Sequence, residues 1–153
     1  MKSDKRLVIG ADHAGYKLKQ YLVEHLKKKG YDVLDVGTFD ETSVDYPDYA
    51  VKVGRRVAGG EFSKGVLVCG SGAGVSIAAN KIQGIRAATA NDIESAKLIR
   101  AHNDANVLTV GSRLVDFQTA LRILDTWLET EFEGGRHARR VDKIRLIEKE
   151  ERS

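Results

Sequence analysis

The sequence predicts an α/β protein, a three-layer α/β/α sandwich with a five-stranded parallel sheet of the Rossmann-like, doubly wound kind. Short apolar runs alternate with helical segments along the chain, which is the pattern of repeated β-α units. The clearest run, Val66-Leu67-Val68, is apolar at every position, as a strand covered on both faces requires. It ends at Cys69, and glycines then alternate with small residues. We therefore interpret residues 65–80 as a strand, a tight loop and a helix.

The amino-terminal part of the chain predicts the first strands of this sheet. A strand is predicted at residues 7–11, and leucines then recur at helical spacing in a helix at residues 17–29. A second strand is predicted at residues 31–36. Pro47 is expected to open the second helix and to hold Tyr46 in extended backbone. A phenol fixed in this way could line a pocket or could be a plain surface tyrosine.

The remaining elements continue the alternation. One domain over residues 1–153 is expected, because a chain of this length buries a core without disulfides or bound metal. A helical tail is predicted from about residue 134. The other predicted elements are a helix at 48–58, a strand at 86–90, a helix at 92–101, a strand at 107–110 and a helix at 116–130.

Composition narrows the class of ligand. The formal net charge of +3 comes from 25 basic and 22 acidic residues, which are interspersed and have few aromatic residues beside them. This favours a small anionic ligand over nucleic acid, and no apolar stretch approaches the length of a membrane span. The single cysteine cannot form an intrachain disulfide, and the first residues lack an apolar signal region. We therefore expect a protein of the reducing cytoplasm.

Cys69 lies where an open α/β sheet binds ligands, at the carboxyl end of a strand and before a helix start. A free cysteine is often only a small buried hydrophobe. A catalytic role for Cys69 is therefore indicated by its position more than by its residue type. The N–H groups that open the helix would favour a thiolate or a developing oxyanion. Asp12 and His13 follow the first strand and so belong to the same edge of the sheet.

Three familiar loops do not fit this stretch. A Walker A loop needs Lys followed by Ser or Thr, but Lys81 is followed by Ile82. The dinucleotide fingerprint needs a third glycine at position 75, where Val75 stands. A cysteine phosphatase would need an arginine to clamp the phosphoryl group, and residues 69–80 contain none.

Two arginines of the tail suggest a phosphate site. Arg136 and Arg140 are four residues apart, so on a helix they share one face and could clamp one phosphate. A solvated charged helix would look the same.

Short motifs spread over nearly the whole chain, taken together and in order, strongly resemble the ribose-5-phosphate isomerase B family. The set is far more specific than any one motif. Its members are Asp12-His13, Asp45-Tyr46-Pro47, Cys69-Gly70-Ser71-Gly72, residues 76–81, residues 84–86, His102-Asn103, residues 111–113 and residues 134–137.

The resemblance implies an aldose–ketose isomerase that works without metal or cofactor, opening the sugar ring and moving a proton between C1 and C2 through a cis-enediolate. Cys69 would be the base, and His102 would act in ring opening. Ser71 and backbone N–H groups would stabilise the enediolate oxygen. The backbone groups belong to Gly70, Ser71, Gly72, Ala73 and Gly74.

The resemblance also implies the substrate contacts. Asp12 and Asn103 would hold sugar hydroxyls, and Tyr46 would line the site. The phosphate would fall to His13, Arg113, Arg136 and Arg140.

Two departures from the family pattern bear on the site. Some family members lack the cysteine and use an acidic residue a few positions later, but residues 73–76 contain no acid, so Cys69 remains the candidate base. Ser71 stands where many members have threonine, which keeps the hydroxyl.

Several functions stay open at this stage. Relatives that act on allose 6-phosphate and galactose 6-phosphate share the scaffold, so a hexose phosphate is an alternative substrate. A non-catalytic phosphosugar-binding module would use the same arginines without needing a base. A partner-binding protein would need the tail helix alone.

Sheet geometry separates two of the candidate residues. Cys69 follows a strand, whereas His102 follows a helix and precedes the fifth strand. Within one chain they should lie at opposite edges of the sheet, roughly 17 Å apart for a five-residue strand. One small sugar cannot reach both. The resemblance implies a homodimer, or a tetramer, with sites at the subunit interface, where a two-fold axis joins the two groups.

Overall fold

A parallel five-stranded sheet forms the centre of residues 4–152, the part of the chain that the computed structural model describes. The strand order is β2-β1-β3-β5-β4, with every neighbouring pair parallel. The predicted fold class is confirmed. The strands are β1 (Arg6–Ala11), β2 (Asp32–Asp35), β3 (Gly65–Cys69), β4 (Ala87–Thr89) and β5 (Val107–Gly111).

Helices cover both faces of the sheet. Alternate residues of the strands point to opposite sides, so Val66 and Val68 join one apolar cluster and Leu67 and Cys69 join the other. The first cluster is completed by α1, α4 and α5, and the second by α2 and α3. These helices are α1 (Tyr16–Lys28), α2 (Tyr46–Ala58), α3 (Ala73–Ala79), α4 (Ile93–Ala101) and α5 (Phe117–Glu129).

The predicted tail is a sixth helix, α6 (Arg136–Glu151). Val141 and His137 are its buried residues. A carboxylate oxygen of Glu148 accepts a hydrogen bond from the Gly84 N–H at 2.8 Å, and Arg152 donates to the Lys81 carbonyl at 2.8 Å. The tail is thus held against the connection between α3 and β4. Within residues 4–152, no helix is both long and apolar enough to span a bilayer.

The start of α2 differs from the sequence prediction. The helix begins at Tyr46, and the residue with extended backbone is Asp45, at φ −92° and ψ 121°. The prediction that Pro47 holds Tyr46 extended is therefore wrong. Proline costs little in the first turn of a helix, because the first N–H groups have no intrahelical partner there. Tyr46 can consequently join the same turn.

The strand order places a switch point between β1 and β3. From β1 the chain moves to β2 on one side and then crosses to β3 on the other side. The connecting segments therefore diverge at the carboxyl ends of β1 and β3, which leaves a crevice at that edge. Asp12 and Cys69 stand at this crevice.

Candidate active site

A cavity of about 400 Å³ opens at the carboxyl edge of the sheet. It joins residues that follow three different strands and the first residue of α2. Most of the site residues predicted for this edge therefore do lie together. The cavity is lined by Asp12, Tyr46, Cys69, Gly70, Ser71, Gly74, Arg113 and Leu114.

Asp12 is buried and fixed by its neighbours. Its N–H donates to the Val68 carbonyl at 3.2 Å, and its carboxylate accepts from the Gly15 N–H at 3.0 Å. A Cβ on Gly15 would lie 2.4 Å from the Val68 carbonyl oxygen, so only glycine lets the start of α1 approach β3 this closely. The carboxylate of Asp12 is thereby held at the edge of the cavity.

The turn after Cys69 directs a backbone donor at the sulfur. Gly72 has φ +81°, a conformation that glycine adopts without strain, and its N–H donates to Cys69 Sγ at 3.2 Å. A thiolate accepts such a hydrogen bond better than a thiol does. Cys69 itself is 4% exposed, so little water competes with the Gly72 N–H for the sulfur.

Two threonines that the sequence analysis missed stabilise this turn. Thr109 is fully buried on β5, and its hydroxyl donates to the Gly72 carbonyl at 2.8 Å. The Thr89 hydroxyl lies 3.1 Å from the same carbonyl and 2.8 Å from the Thr109 hydroxyl. A threonine at a core position of a predicted strand is the one sequence signal for this role, since a buried hydroxyl needs a partner.

Asn91 ties Ser71 to β5. Its side-chain amide donates to the Ser71 carbonyl at 3.2 Å, and its side-chain oxygen accepts from the Gly111 N–H at 2.8 Å. The Ser71 hydroxyl accepts from the Ala73 N–H at 3.2 Å and is at the exposed side of the loop. The loop therefore holds the Ser71 hydroxyl in a fixed position, and its O–H can still donate a hydrogen bond to an oxyanion.

Two further side chains at this edge can donate hydrogen bonds: the positively charged Arg113 and the imidazole of His13. The Arg113 side chain lies against Gly70, where an added Cβ would be 3.3 Å from Nη1. The Nδ1 atom of His13 accepts a hydrogen bond from the Val44 N–H at 3.1 Å. In the neutral ring the proton is therefore on Nε2, which stays a donor.

The Tyr46 ring packs directly over Gly74. A Cβ at Gly74 would lie 2.6 Å from Tyr46 Cε1, so we expect Gly74→Ala to push the ring out of its place beside Cys69. Because the ring is partly exposed and can turn away from the clash, Tm should change little, whereas kcat/KM should fall by about tenfold because the ring no longer lines the site.

A double-mutant cycle is the measurement. In a Tyr46→Ala background the clash is gone, so Gly74→Ala should then have almost no further effect on kcat/KM. Equal effects of Gly74→Ala in both backgrounds would show that the ring is not responsible.

A second group of predicted residues lies at the opposite, amino edge of the sheet. Paired residues of β3 and β5 run from Gly65 with Val107 to Cys69 with Gly111. His102 directly follows the last residue of α4 and precedes β5, so it lies at the edge where β5 begins. The separation from Cys69 is therefore about a strand's length, roughly 17 Å.

His102 is stacked on His137 of α6. The ring centroids are 4.1 Å apart with an interplanar angle of 8°. Both Nε2 atoms face one carboxylate oxygen of Glu133, at 3.8 Å from His102 and 3.6 Å from His137. Burial lowers the pKa of His137, and the nearby charges of His102 and Arg136 lower it further. The sequence analysis missed Glu133 and His137 as functional candidates.

Arg136 and Arg140 lie on the same helix as His137 and are exposed. Asn103 is also exposed and lines a separate cavity of about 380 Å³. Within one chain the predicted phosphate ligands are therefore separated. His13 and Arg113 lie at the carboxyl edge of the sheet, and the arginines at the start of α6 lie near the amino edge.

The three ligand atoms of His102, Glu133 and His137 lie within 4.8 Å of one another, a spacing that a metal ion could use. The ring geometry does not fit. An imidazole nitrogen binds a metal close to its ring plane, and two stacked, nearly parallel rings have no shared point in both planes. Binding would require at least one ring to leave the stack.

The fold and the site together define the class of protein: an α/β protein whose sheet carries, at its switch point, a buried thiol that accepts a backbone N–H and a buried carboxylate. Residues 7–144 match the family described as Ribose/Galactose Isomerase. The chain belongs to the ribose/galactose isomerase family.

Individual relatives agree with this assignment. The chain is 49% identical over 144 residues to ribose-5-phosphate isomerase B of Escherichia coli strain K12, covering 94% of this chain and 97% of that one. It is 42% identical over 147 residues to ribose-5-P isomerase B of Listeria innocua, covering 96% and 99%.

Solved structures share the fold throughout. Ribose-5-phosphate isomerase B of Clostridium thermocellum superposes with a TM-score of 0.94 at 52% identity, over 95% of this chain and 98% of that one. The Mycoplasma genitalium enzyme, solved with bound ribulose 5-phosphate, gives 0.93 at 42% identity, over 97% and 99%.

Proposed function

We propose that this protein is an aldose–ketose isomerase that interconverts ribose 5-phosphate and ribulose 5-phosphate. The observation that carries the proposal is the turn after Cys69, where the Gly72 N–H donates a hydrogen bond to the sulfur. This turn lies at the switch point of the sheet, in a fold that the chain shares with an enzyme solved with bound ribulose 5-phosphate. A thiolate there is placed as a base beside donors that can stabilise an oxyanion.

The reaction begins with opening of the furanose ring. The C1–O4 bond breaks, the ring oxygen gains a proton and the anomeric hydroxyl loses one, so that an aldehyde forms at C1. An imidazole can exchange protons near neutral pH, and His102 is the residue that we assign to this step. Asp12 and Asn103 would hold sugar hydroxyls during it.

Isomerisation then needs one base. The Cys69 thiolate takes the proton from C2, which leaves a cis-enediolate. The hydroxyl proton of O2 moves to O1, and the thiol returns its proton to C1 to give the ketose. Negative charge on the enediolate oxygen would be stabilised by the Ser71 hydroxyl and by backbone N–H groups from Gly70 to Gly74.

A coupled assay tests the function. Purified protein is given ribose 5-phosphate, allose 6-phosphate and galactose 6-phosphate, and ketose formation is measured. The highest kcat/KM is expected for ribose 5-phosphate. The galactose in the family's description makes a hexose phosphate the second candidate. Binding of all three sugars with no turnover would instead indicate a non-catalytic phosphosugar-binding module.

The phosphate site is tested on α6. We expect Arg136→Ala or Arg140→Ala to weaken binding of a phosphorylated inhibitor by about 2 kcal/mol or more, because each change would remove a charge-assisted hydrogen bond to phosphate. Arg139→Ala, an exposed arginine between them, is the matched control and should leave the inhibition constant unchanged. Equal inhibition constants for all variants would contradict this assignment.

The division of the site between the two sheet edges supports a homodimer with two shared sites, or a tetramer built from such dimers. Exposed apolar side chains lie at the Cys69 cavity and further along α3, the helix whose residue Gly74 lines that cavity. Ile77 on α3 is 64% exposed, and Leu114, which lines the cavity, is 61% exposed. A two-fold axis at this surface would bring His102 and the α6 arginines of one chain to Cys69 of the other.

The cellular setting follows from the chemistry. A free thiol used as a base suits a reducing compartment, so we place the enzyme in the cytoplasm. Its two substrates are pentose phosphates, which places the reaction in the pentose phosphate pathway of carbohydrate metabolism.

A further inference from the structure

We propose that Glu133 and His137 are positioning residues for His102, holding its imidazole in the orientation and tautomer that ring opening needs. The inference rests on the proposed isomerase function and deepens it, since neither residue would touch the reacting carbons.

Backbone contacts fix both residues beside His102. The Glu133 N–H donates to the carbonyl of Ala101, the residue before His102, at 3.0 Å. The His137 N–H donates to the Gly134 carbonyl at 3.0 Å, in a turn where Gly134 and Gly135 have φ of +71° and +56°. The chain therefore bends sharply to bring the start of α6 back onto the end of α4.

The side chains restrict the ring of His102 in two ways. The stack with His137 fixes the plane of the ring, because rotation would break the contact at 4.1 Å. The Glu133 carboxylate faces Nε2 at 3.8 Å, so of the two tautomers of the neutral ring it favours the one with N–H at Nε2. A shortening of about 0.6 Å would bring the two atoms within hydrogen-bond distance, and catalytic hydrogen bonds commonly tighten when substrate binds.

His137 is suited to this role because it is buried and its charge is disfavoured. It is 6% exposed, and within the described residues its Nε2 atom has no hydrogen-bond partner. Burial and the neighbouring positive groups lower its pKa. A neutral ring can stack against His102 in either protonation state without charge repulsion, whereas a second imidazolium could not.

One carboxylate oxygen of Glu133 faces both rings of the cluster. The side chain is half-exposed, so Glu133→Gln changes charge and hydrogen-bonding character without disturbing the core. Glu131 lies two residues earlier in the same connection and is exposed. Glu131→Gln is therefore a matched control for the loss of one negative charge.

The test separates ring opening from proton transfer. Ribulose 5-phosphate is acyclic, because its O5 carries the phosphate and cannot close a five-membered ring on C2. Enzyme in D₂O should exchange the C1 proton of ribulose 5-phosphate through the enediolate, and this step needs Cys69 but no ring opening. NMR follows the exchange, and a coupled assay follows turnover of cyclic ribose 5-phosphate.

For Glu133→Gln and His137→Ala we expect kcat for ribose 5-phosphate to fall by about tenfold or more, with C1 exchange near the wild-type rate. His137→Phe keeps an aromatic ring in the stack and should recover part of the loss. Glu131→Gln should match wild type in both assays. Isomerisation by Glu133→Gln at the wild-type rate would overturn the inference.

A parallel fall of isomerisation and exchange in Glu133→Gln would also overturn it, because that result indicates a general structural role. If His137→Ala does not fold, as judged by circular dichroism, Glu133→Gln still decides the question. Wild-type protein that neither isomerises ribose 5-phosphate nor exchanges the C1 proton would refute the proposed function itself, which is a different outcome.

Discussion

Cys69→Ala is expected to abolish isomerisation in both directions while changing the affinity for phosphosugars little. The proton transfer between C1 and C2 needs a base, and a general base contributes about 10²–10⁴-fold to the rate. The phosphate contacts belong to other residues, so a phosphorylated inhibitor should bind within a few-fold of its wild-type constant. Initial rates with ribose 5-phosphate and with ribulose 5-phosphate measure the first effect, and calorimetry with the inhibitor measures the second.

One further variant and a second assay sharpen this result. Cys69→Ser keeps the size and polarity of the side chain, but an alkoxide is far less accessible than a thiolate, so it should be nearly as inactive as alanine. Loss of C1 exchange in D₂O should accompany the loss of turnover, because both need the same base. Activity of Cys69→Ala within tenfold of wild type would remove the thiol from the mechanism.

The fold could be predicted because each β-α unit has its own pattern of apolar and turn residues within a short stretch of sequence. The apolar run before Cys69 and the glycines after it lie in one stretch of sequence, and the structure places that stretch as strand, turn and helix start. The position of Asp12 could be predicted too, because Asp12 directly follows β1 and β1 lies next to β3 in the sheet.

The groups that fix the site were harder to predict because they come from distant parts of the chain. Thr109 and Asn91 support the turn of Gly72 and Ser71 from β5 and from the end of β4. A threonine at a core position signals only that its hydroxyl needs some partner, and which partner it finds depends on the strand order β3-β5-β4. Glu133 is a similar case, because it reaches His102 only when the connection after α5 returns to the end of α4.

The position of Tyr46 shows the limit of a local rule. Proline disfavours helical backbone at the preceding residue, and on that rule Tyr46 was predicted to be extended. In the structure Tyr46 starts α2 and its ring packs on Gly74. The Tyr46-Pro47 dipeptide alone therefore does not predict where the helix starts. The contact of the ring with Gly74 is a tertiary contact, which a local rule does not include.

The second large effect is restoration of activity by mixing two inactive proteins. Cys69→Ala and His102→Ala should each be almost inactive alone, because each lacks one of the two proposed proton-transfer groups. If every site takes Cys69 from one chain and His102 from the other, a mixed dimer has one intact site and one site lacking both groups. Random exchange gives roughly half mixed dimers, so about a quarter of full activity should return.

A matched control uses two residues from the same edge. Asp12 and Cys69 line one cavity in one chain, so a mixture of Asp12→Ala with Cys69→Ala should give mixed dimers in which each site lacks one group. No activity should return in that mixture, although the subunits exchange equally well.

Subunit exchange must be shown independently, by mass spectrometry of the mixed species. The recovery expected for Cys69→Ala with His102→Ala follows from the sheet itself, since these residues lie at opposite edges of β3 and β5. A sugar of five carbons cannot span the roughly 17 Å between them, but a second chain can supply the missing edge. Proven exchange without recovery would mean that one chain brings both residues to the sugar, and the two-fold arrangement would then be wrong.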